Sequence, residues 1–150
     1  MFIRWERKLL VNYPLVDDEH RMLIWLCRKV QLAVASDMSA VSIRSACVEL
    51  EAFTQFHLTS EENLMHEIAY PDVEEHANAH AQLLLGLRRM TEDIRGRRVS
   101  EMTLAKLISQ WLLYHIEHHD RKLASFLMVS KKRPIAEQYY SQLLNEDPNI

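Results

Sequence analysis

The chain has 150 residues, which is the size of one domain and long enough to bury a core around a site. Apolar residues make up 48% of the chain and charged residues 26%, and the net charge is −3 with both signs interspersed. The sequence therefore offers no basic stripe for nucleic acid and no apolar run long enough to span a membrane.

The N-terminal residues and the cysteines indicate the cellular compartment. Residues 1–8 lack a basic start followed by an apolar segment and a cleavage site, so we expect a cytoplasmic protein. Cys27 and Cys47 lie within apolar helical patterns and do not form a Cys-x-x-Cys pair. We expect both to be buried, reduced thiols with a structural role.

The composition favours helices throughout, because glycine is nearly absent while Leu, Ala, Met and Glu are abundant. Residues 1–17 contain large apolar side chains without a sustained helical period, so they predict an extended arm that packs on the domain. Asp17 and Asp18 are candidate N-caps for a first helix over residues 18–36.

Three further helices are predicted in chain order. The second runs from about residue 39 to about residue 67, and residues 69–71 break it. Pro71 suits the first turn of the third helix, which Gly96 ends. The fourth begins near Ser100 and runs to about Val129. Four long helices joined by short loops predict an all-α, up-down-up-down four-helix bundle.

A separate C-terminal segment follows the bundle. Residues 131–134 (Lys-Lys-Arg-Pro) end the fourth helix, and residues 135–144 predict a fifth, short helix. We therefore divide the chain into a domain over residues 1–130 and a C-terminal extension over residues 131–150. The extension is a candidate linker to an output domain beyond residue 150.

Two pairs of polar side chains recur at helical spacing. His57 and Glu61 are four residues apart on the second helix, and His76 and His80 are four residues apart on the third. Residues four apart lie on one helix face, about one turn from each other, so each pair can reach one point between helices. Either pair alone is weak evidence for a metal site.

The conjunction of such residues on all four helices is stronger evidence. Burying several imidazoles and carboxylates without partners would cost several kcal/mol each, and a shared cation removes that cost. The candidate metal ligands are five histidines and two carboxylates: His20, His57, Glu61, His76, His80, His115 and Asp120.

The fourth helix leaves one choice of ligand open. Asp120 follows His115 by five residues, which is about 140° away on a regular helix, so His119 would be the better partner by geometry. A π-bulge would absorb the extra residue, or the carboxylate could bridge from a neighbouring angular position. Spacing alone does not exclude His118 or His119.

The residue types also restrict the metal. Mixed imidazole and carboxylate sites suit iron, zinc or manganese, and seven ligands are too many for one tetrahedral zinc ion. Two metal ions bridged by Glu61 and Asp120, with the histidines divided three to two, would leave one ion a position short. A small ligand could bind at that open position.

Four stretches of the chain match the pattern of a known family, in the family's order. They are VDDEH at 16–20, FHLTSEENLM at 56–65, YPDVEEHANAH at 70–80 and WLLYHIEHHD at 111–120. Trp5 also matches an aromatic residue of the family's N-terminal arm. Over residues 5–128 the chain resembles the hemerythrin family, in particular bacterial hemerythrins and hemerythrin-like domains.

The resemblance implies reversible binding of dioxygen at a non-heme di-iron centre with an oxo or hydroxo bridge. It implies that one iron is coordinatively filled and that the other has the vacant position. The filled iron would be held by His76, His80 and His115. The iron with the vacant position would be held by His20 and His57. Glu61 and Asp120 would bridge the two ions. The resemblance thus selects Asp120 over His118 and His119.

The resemblance also implies an apolar oxygen pocket, formed by Leu112, Ile116 and Trp111 beside His115. The chain departs from the family at Glu19, where Gln is usual, at Asn12, where Gly is common, and at Leu58, where Phe follows the histidine. None of these three is a ligand, but Leu58 is expected to change the shape of the pocket.

Three functions are compatible with such a site. We favour an input domain that senses oxygen, nitric oxide or the iron redox state, because the charged helical tail after residue 130 extends beyond what a compact single domain needs. A free-standing oxygen carrier or store is the first alternative. A di-iron oxidase or a peroxide-reducing enzyme is the second, although a histidine-rich site supports oxygen binding over oxidation.

Overall fold

The computed structural model describes residues 2–96 and 100–145. Its four long helices are α1 (Pro14–Ala35), α2 (Ala40–Glu67), α3 (Val73–Arg95) and α4, which is continuous from Glu101 to Val129. A fifth helix, α5 (Ile135–Asn145), follows. The predicted all-α bundle and its short C-terminal helix are confirmed.

The four long helices form a closed ring of neighbours, because α1 packs on α2, α2 on α3, α3 on α4 and α4 on α1. The connections between the first three span only residues 36–39 and 68–72. Ser39 caps α2 by accepting a hydrogen bond from the backbone N–H of Ser42. Short loops of this kind make successive helices antiparallel.

The predicted N-cap of the first helix is wrong. Helix α1 begins at Pro14, whose fixed φ suits the first helical position, and Tyr13 is the N-cap residue. Asp17 is buried inside the first turn, where its Oδ1 accepts a hydrogen bond of 2.8 Å from the backbone N–H of Val11. Its carboxylate thus holds the N-terminal arm and does not cap the helix.

The predicted position of Pro71 is also wrong, by two residues. Pro71 lies in the turn before α3, and Asp72 is the N-cap residue because its carbonyl accepts the first helical hydrogen bond, from His76 N–H at 3.0 Å. Gly96 ends α3 as predicted, and its N–H donates to the carbonyl of Glu92.

The N-terminal arm (residues 2–13) is extended except for a short 3₁₀ turn at Arg7–Leu9. Asn12 in this arm has φ of 64°, a left-handed conformation that asparagine tolerates better than most residues. Glycine adopts the same conformation readily, so the resemblance-based expectation of glycine at this position and the observed Asn12 are compatible with one backbone geometry. Arg121 of α4 fixes the arm by donating to the carbonyl of Lys8.

The interior is divided along the bundle axis. One end is filled with apolar side chains such as Ala46, Cys47 and Ile94, and Cys27 is buried near the middle of α1. Both cysteines are free and buried, as predicted. The other end, where α1 and α3 begin and α2 and α4 end, contains the buried polar side chains described next.

Candidate metal centre

The candidate ligands lie together at this polar end of the bundle, and each is 4% exposed or less. Each helix contributes: α1 one ligand, and α2, α3 and α4 two each, as the sequence positions require. The structure therefore brings together all the side chains that the sequence pattern selected: His20, His57, Glu61, His76, His80, His115 and Asp120.

The register of α4 explains how His115 and Asp120 reach the same point. Residues Ser109–Leu113 and Ile116–Asp120 are π-helical, whereas the flanking segments Glu101–Ile108 and Arg121–Val129 are α-helical. A π-helix pairs residue i with residue i+5, so side chains five apart share one face. The π-bulge that the spacing required is therefore present, and the Nε2 of His115 lies 2.9 Å from Oδ1 of Asp120.

The side chains form two groups in which the potential ligand atoms all lie within 4.8 Å of one another. The first contains three histidines, the second contains two, and both contain the same two carboxylates. The groups are Glu61, His76, His80, His115 and Asp120, and His20, His57, Glu61 and Asp120. This is the three-to-two division that the sequence predicted for two bridged ions.

Glu61 directs one carboxylate oxygen toward each group. Its Oε1 lies 3.8 Å from Nε2 of His20 and 3.6 Å from Nε2 of His57. Its Oε2 lies 3.1 Å from Nε2 of His80. One carboxylate thus faces both groups, which is the geometry of a bridge.

Asp120 is divided in the same way. Its Oδ2 lies 3.0 Å from Nε2 of His20, and its Oδ1 lies 3.1 Å from Nε2 of His76. A pair of carboxylates placed between two sets of imidazoles suits two cations at short separation, since each anion neutralises charge on both.

Several of these buried atoms lack the hydrogen bond that a polar core atom normally makes. They are Nδ1 and Nε2 of His20, Oε1 of Glu61, Nδ1 of His76, Nε2 of His115 and Oδ2 of Asp120. Nε2 of His20 and Nε2 of His115 each lie within 3.0 Å of a carboxylate oxygen of Asp120. These distances are short, but the angles do not suit a hydrogen bond. Buried groups that converge without pairing fit bound cations, so the residues present fit two iron ions.

Two further carboxylates orient the histidines. Nδ1–H of His57 donates to Oε2 of Glu19 at 2.7 Å, and Nδ1–H of His80 donates to Oε1 of Glu62 at 3.0 Å. Each bond leaves Nε2 facing the centre. Sequence reasoning did not assign this role to Glu19 or Glu62, and the only signal was that each carboxylate is adjacent to a candidate ligand.

The cluster shifts its own pKa values strongly. Burial alone would lower the pKa of His57 and His76, but the surrounding carboxylates raise both to about 9. Burial and Asp120 would raise the pKa of Glu61, yet His57 and the bonds from His76 and His80 hold it at about 2. Without metal, the centre therefore retains imidazolium protons next to ionised carboxylates.

These protons predict a strong pH dependence of metal binding. Because a metal ion binds neutral imidazole, the protons on His57 and His76 must leave when it binds. Below pH 9, the affinity of each of the two positions is expected to fall by up to about tenfold for each pH unit, since one of these protons competes at each position. Titration with Co²⁺ against a competing chelator between about pH 7 and pH 8 measures this. An affinity independent of pH would contradict it.

The other histidines of the fourth helix lie outside the two groups. His118 is exposed and stacks on Tyr114, with ring centroids 4.0 Å apart. His119 is half-buried and stacks on His115 at 4.9 Å, and its pKa is lowered by burial and by His115. His66 on α2 is also exposed.

The predicted pocket residues lie close to the cluster along the chain. Leu58, Leu112 and Ile116 are 3% exposed or less. Trp111 is half-buried, donates its indole N–H to the carbonyl of Leu83, and packs over Gly86. Their role in lining an oxygen pocket stays a prediction.

This fold and this cluster define a class of protein, a four-helix bundle with a buried centre for two metal ions. Residues 11–127 match the family model described as the hemerythrin HHE cation binding domain. The chain belongs to the hemerythrin family, and the cofactor of that family is a non-heme di-iron centre, as the sequence predicted.

Named relatives agree with this assignment. The chain is 24% identical over 120 residues to the bacteriohemerythrin of Stenotrophomonas maltophilia (strain R551-3), which covers 80% of this chain and 78% of that protein. It is 23% identical over 123 residues to the bacteriohemerythrin of Campylobacter jejuni subsp. jejuni serotype O:23/36, and this match covers 81% of this chain and 92% of that protein. It is 27% identical over 121 residues to the myohemerythrin of Theromyzon tessulatum, and this match covers 79% of this chain and 88% of that protein.

Proposed function

We propose that this chain binds dioxygen reversibly at a di-iron centre and that it acts as an oxygen-sensing input domain of a cytoplasmic signalling protein. The observation that carries the binding activity is the division of the cluster into groups of five and four ligand atoms that share two carboxylates. With one bridging oxo or hydroxo group, the first group would give one ion six ligands and the second group would give the other ion five. The second ion would then have room for a diatomic ligand, dioxygen or nitric oxide.

The ligand assignment that we propose follows the two groups. His76, His80 and His115 would hold the ion with the filled position, and His20 and His57 would hold the ion with the open one. Glu61 and Asp120 would bridge the two ions. A di-iron centre held there would supply two electrons to dioxygen and recover them on its release. The side chains would fix the positions of the ions, and their near-complete burial would keep water away from them.

The donor set supports binding over oxidation chemistry. Five neutral imidazoles and two carboxylates give less negative charge than the four carboxylates of di-iron enzymes, so a high oxidation state of iron is stabilised less. The apolar neighbours Leu58, Leu112 and Ile116 would slow the entry of water and protons. We therefore propose a binding protein and not an oxidase or a peroxide-reducing enzyme.

The contacts of helix α5 support the sensing role. Tyr140 donates a hydrogen bond to Asp18, which lies two residues before the candidate ligand His20. This bond raises the pKa of Tyr140 to about 12. The backbone N–H of Ile135 donates to Oε2 of Glu67 at 2.8 Å, at the end of the helix that carries His57.

Helix α5 is therefore attached to two of the helices that hold the centre, at their ends nearest to it. A small shift of α1 on oxygen binding would change the geometry between Asp18 and Tyr140. We propose that α5, within the 131–150 extension, transmits such a shift to an output domain beyond residue 150.

Among residues 2–96 and 100–145, no helix is both long and apolar enough to cross a bilayer.

Hydrogen–deuterium exchange of α5 tests this role. In the iron-loaded protein, the amides of α5 are expected to exchange at different rates in the reduced and the oxygenated states. Tyr140→Phe should accelerate exchange in α5 about tenfold, because it removes one hydrogen bond to a carboxylate, and should abolish the difference between the states.

Tyr139→Phe is the matched control, since Tyr139 is 64% exposed on the same helix, and it should behave as the unaltered chain. Equal exchange in both states of the unaltered chain would reject the sensing role. Oxygen binding would stand in that case, because the optical spectrum reports it independently, and the oxygen carrier would become the better interpretation.

A further inference from the structure

Helices α1 and α2 present an apolar face to solvent on the side away from the bundle core. Six large apolar side chains on this face are between 42% and 74% exposed: Met22, Trp25, Leu32, Val41, Val48 and Phe56. We refer to these six residues as the α1–α2 face. Single exposed apolar residues are common, but a set of this size on one face is typical of an interaction surface.

The spacing of these residues resembles a helix-packing seam. On α1 they fall at positions 22, 25 and 32, and on α2 at positions 41, 48 and 56. With Lys29 of α1 and Ser45 and Ala52 of α2, the intervals are three and four residues, the pattern by which helices pack side by side. The face is therefore shaped to receive other helices.

Two grooves lie along this face. One, of about 830 Å³, is lined by residues that include Trp25, Leu32 and Val41. The other, of about 480 Å³, is lined by residues that include Met22 and Phe56. Both are open depressions at the junction of the two helices, and large side chains from a partner could fill them.

An ion pair lies between the two grooves. Nζ of Lys29, which lines the first groove, is 2.5 Å from Oε2 of Glu49, which lines the second. The centre of the face thus carries one ion pair between two apolar ends, and Arg28 adds one further cation to the lining of the first groove. A single excess cation does not favour an acidic partner or a nucleic acid.

We propose that the α1–α2 face is the contact surface of a homodimer, in which it packs on the same face of a second copy of this chain. A two-fold axis parallel to the helices places apolar ends on apolar ends. It also places Lys29 of one copy opposite Glu49 of the other, so each charge meets an opposite charge across the interface.

The size of the face indicates a weak dimer. The α2 part spans about 22 Å and two adjacent helices about 20 Å, so two copies would bury roughly 900 Å² in total. Stable interfaces bury about 1,200 Å² or more, and smaller ones are weak and reversible. The dimer is therefore expected to dissociate in the micromolar range.

Sedimentation equilibrium of the iron-loaded chain, from micromolar to near-millimolar concentration, tests the proposal. Val48→Glu should raise the dissociation constant of the dimer about tenfold or more, because it adds a second negative charge next to Glu49 without a second cation to balance it. Leu85→Glu is the matched control on α3, since Leu85 is 43% exposed and Val48 is 51% exposed. Circular dichroism and iron content verify that both variants fold.

Mixing two charge variants distinguishes contact between chains from the ion pair within one chain. Lys29→Glu alone and Glu49→Lys alone should each weaken dimerisation, because like charges face each other across the interface. An equimolar mixture should form heterodimers with nearly the original affinity. A chain that stays monomeric at near-millimolar concentration, equal effects of Val48→Glu and Leu85→Glu, or a mixture without recovery would each overturn the proposal.

Discussion

Asp120→Ala is expected to lower the iron content from two ions per chain to less than one, whereas His118→Ala leaves it unchanged. Asp120 belongs to both groups of ligand atoms and directs one oxygen to each, so its removal weakens both positions. Loss of an outer partner of a ligand costs about 10–100-fold in affinity, and loss of a bridging ligand should cost more.

Iron analysis of the purified variants measures this effect. His118 is the matched control because it lies on the same helix, two residues away, but is exposed and outside both groups. His66→Ala is a second control on α2. Asp120→Asn keeps the size of the side chain and separates loss of charge from loss of packing. If His118→Ala removed iron and Asp120→Ala did not, the proposed ligand set would be wrong.

Removal of the metal is expected to lower the melting temperature by about 8–16 °C. Ligand bound at a thousandfold excess over its dissociation constant stabilises a fold by about 4 kcal/mol, and in a domain of this size each kcal/mol corresponds to about 2–4 °C. The centre connects all four long helices, and several of its buried atoms have no hydrogen bond without an ion.

Calorimetry of the iron-loaded and chelator-treated protein measures the difference. Asp120→Ala provides the internal check, because a variant that holds little metal should melt at the same temperature before and after chelation. His118→Ala should show the full difference. Equal melting temperatures for the loaded and metal-free forms of the unaltered chain would show that the cluster does not hold the bundle together through a metal.

The sequence predicted the site better than it predicted the helix starts. His57 with Glu61 and His76 with His80 follow the regular α-helical period, so the one-dimensional spacing already placed them on common faces. His115 and Asp120 break that period, and only the π-helical segment of α4 brings them together. The spacing alone left two alternatives open, a π-bulge or a carboxylate that bridges from a neighbouring angular position, and it could not select between them.

Three of the errors and omissions, at Asp17, Glu19 and Glu62, arose where a side chain has a partner outside its own helix. Asp17 has the chemistry of an N-cap, but it bonds the backbone of Val11 in the arm, and no local rule predicts that choice. Glu19 and Glu62 are adjacent in the sequence to candidate ligands. Their roles, however, depend on hydrogen bonds to His57 and His80, each of which lies on a neighbouring helix. The α1–α2 face was not anticipated, because its residues follow the same period as the core.

The central claim is that two iron ions share this cluster and that one of them has room for dioxygen. The most direct measurement is iron analysis of the anaerobically reduced protein, combined with its visible spectrum before and after the admission of air. We expect about two irons per chain, and a new absorption band in air that disappears when oxygen is removed. A protein that binds one iron or fewer, or whose spectrum does not respond to oxygen, would contradict the account.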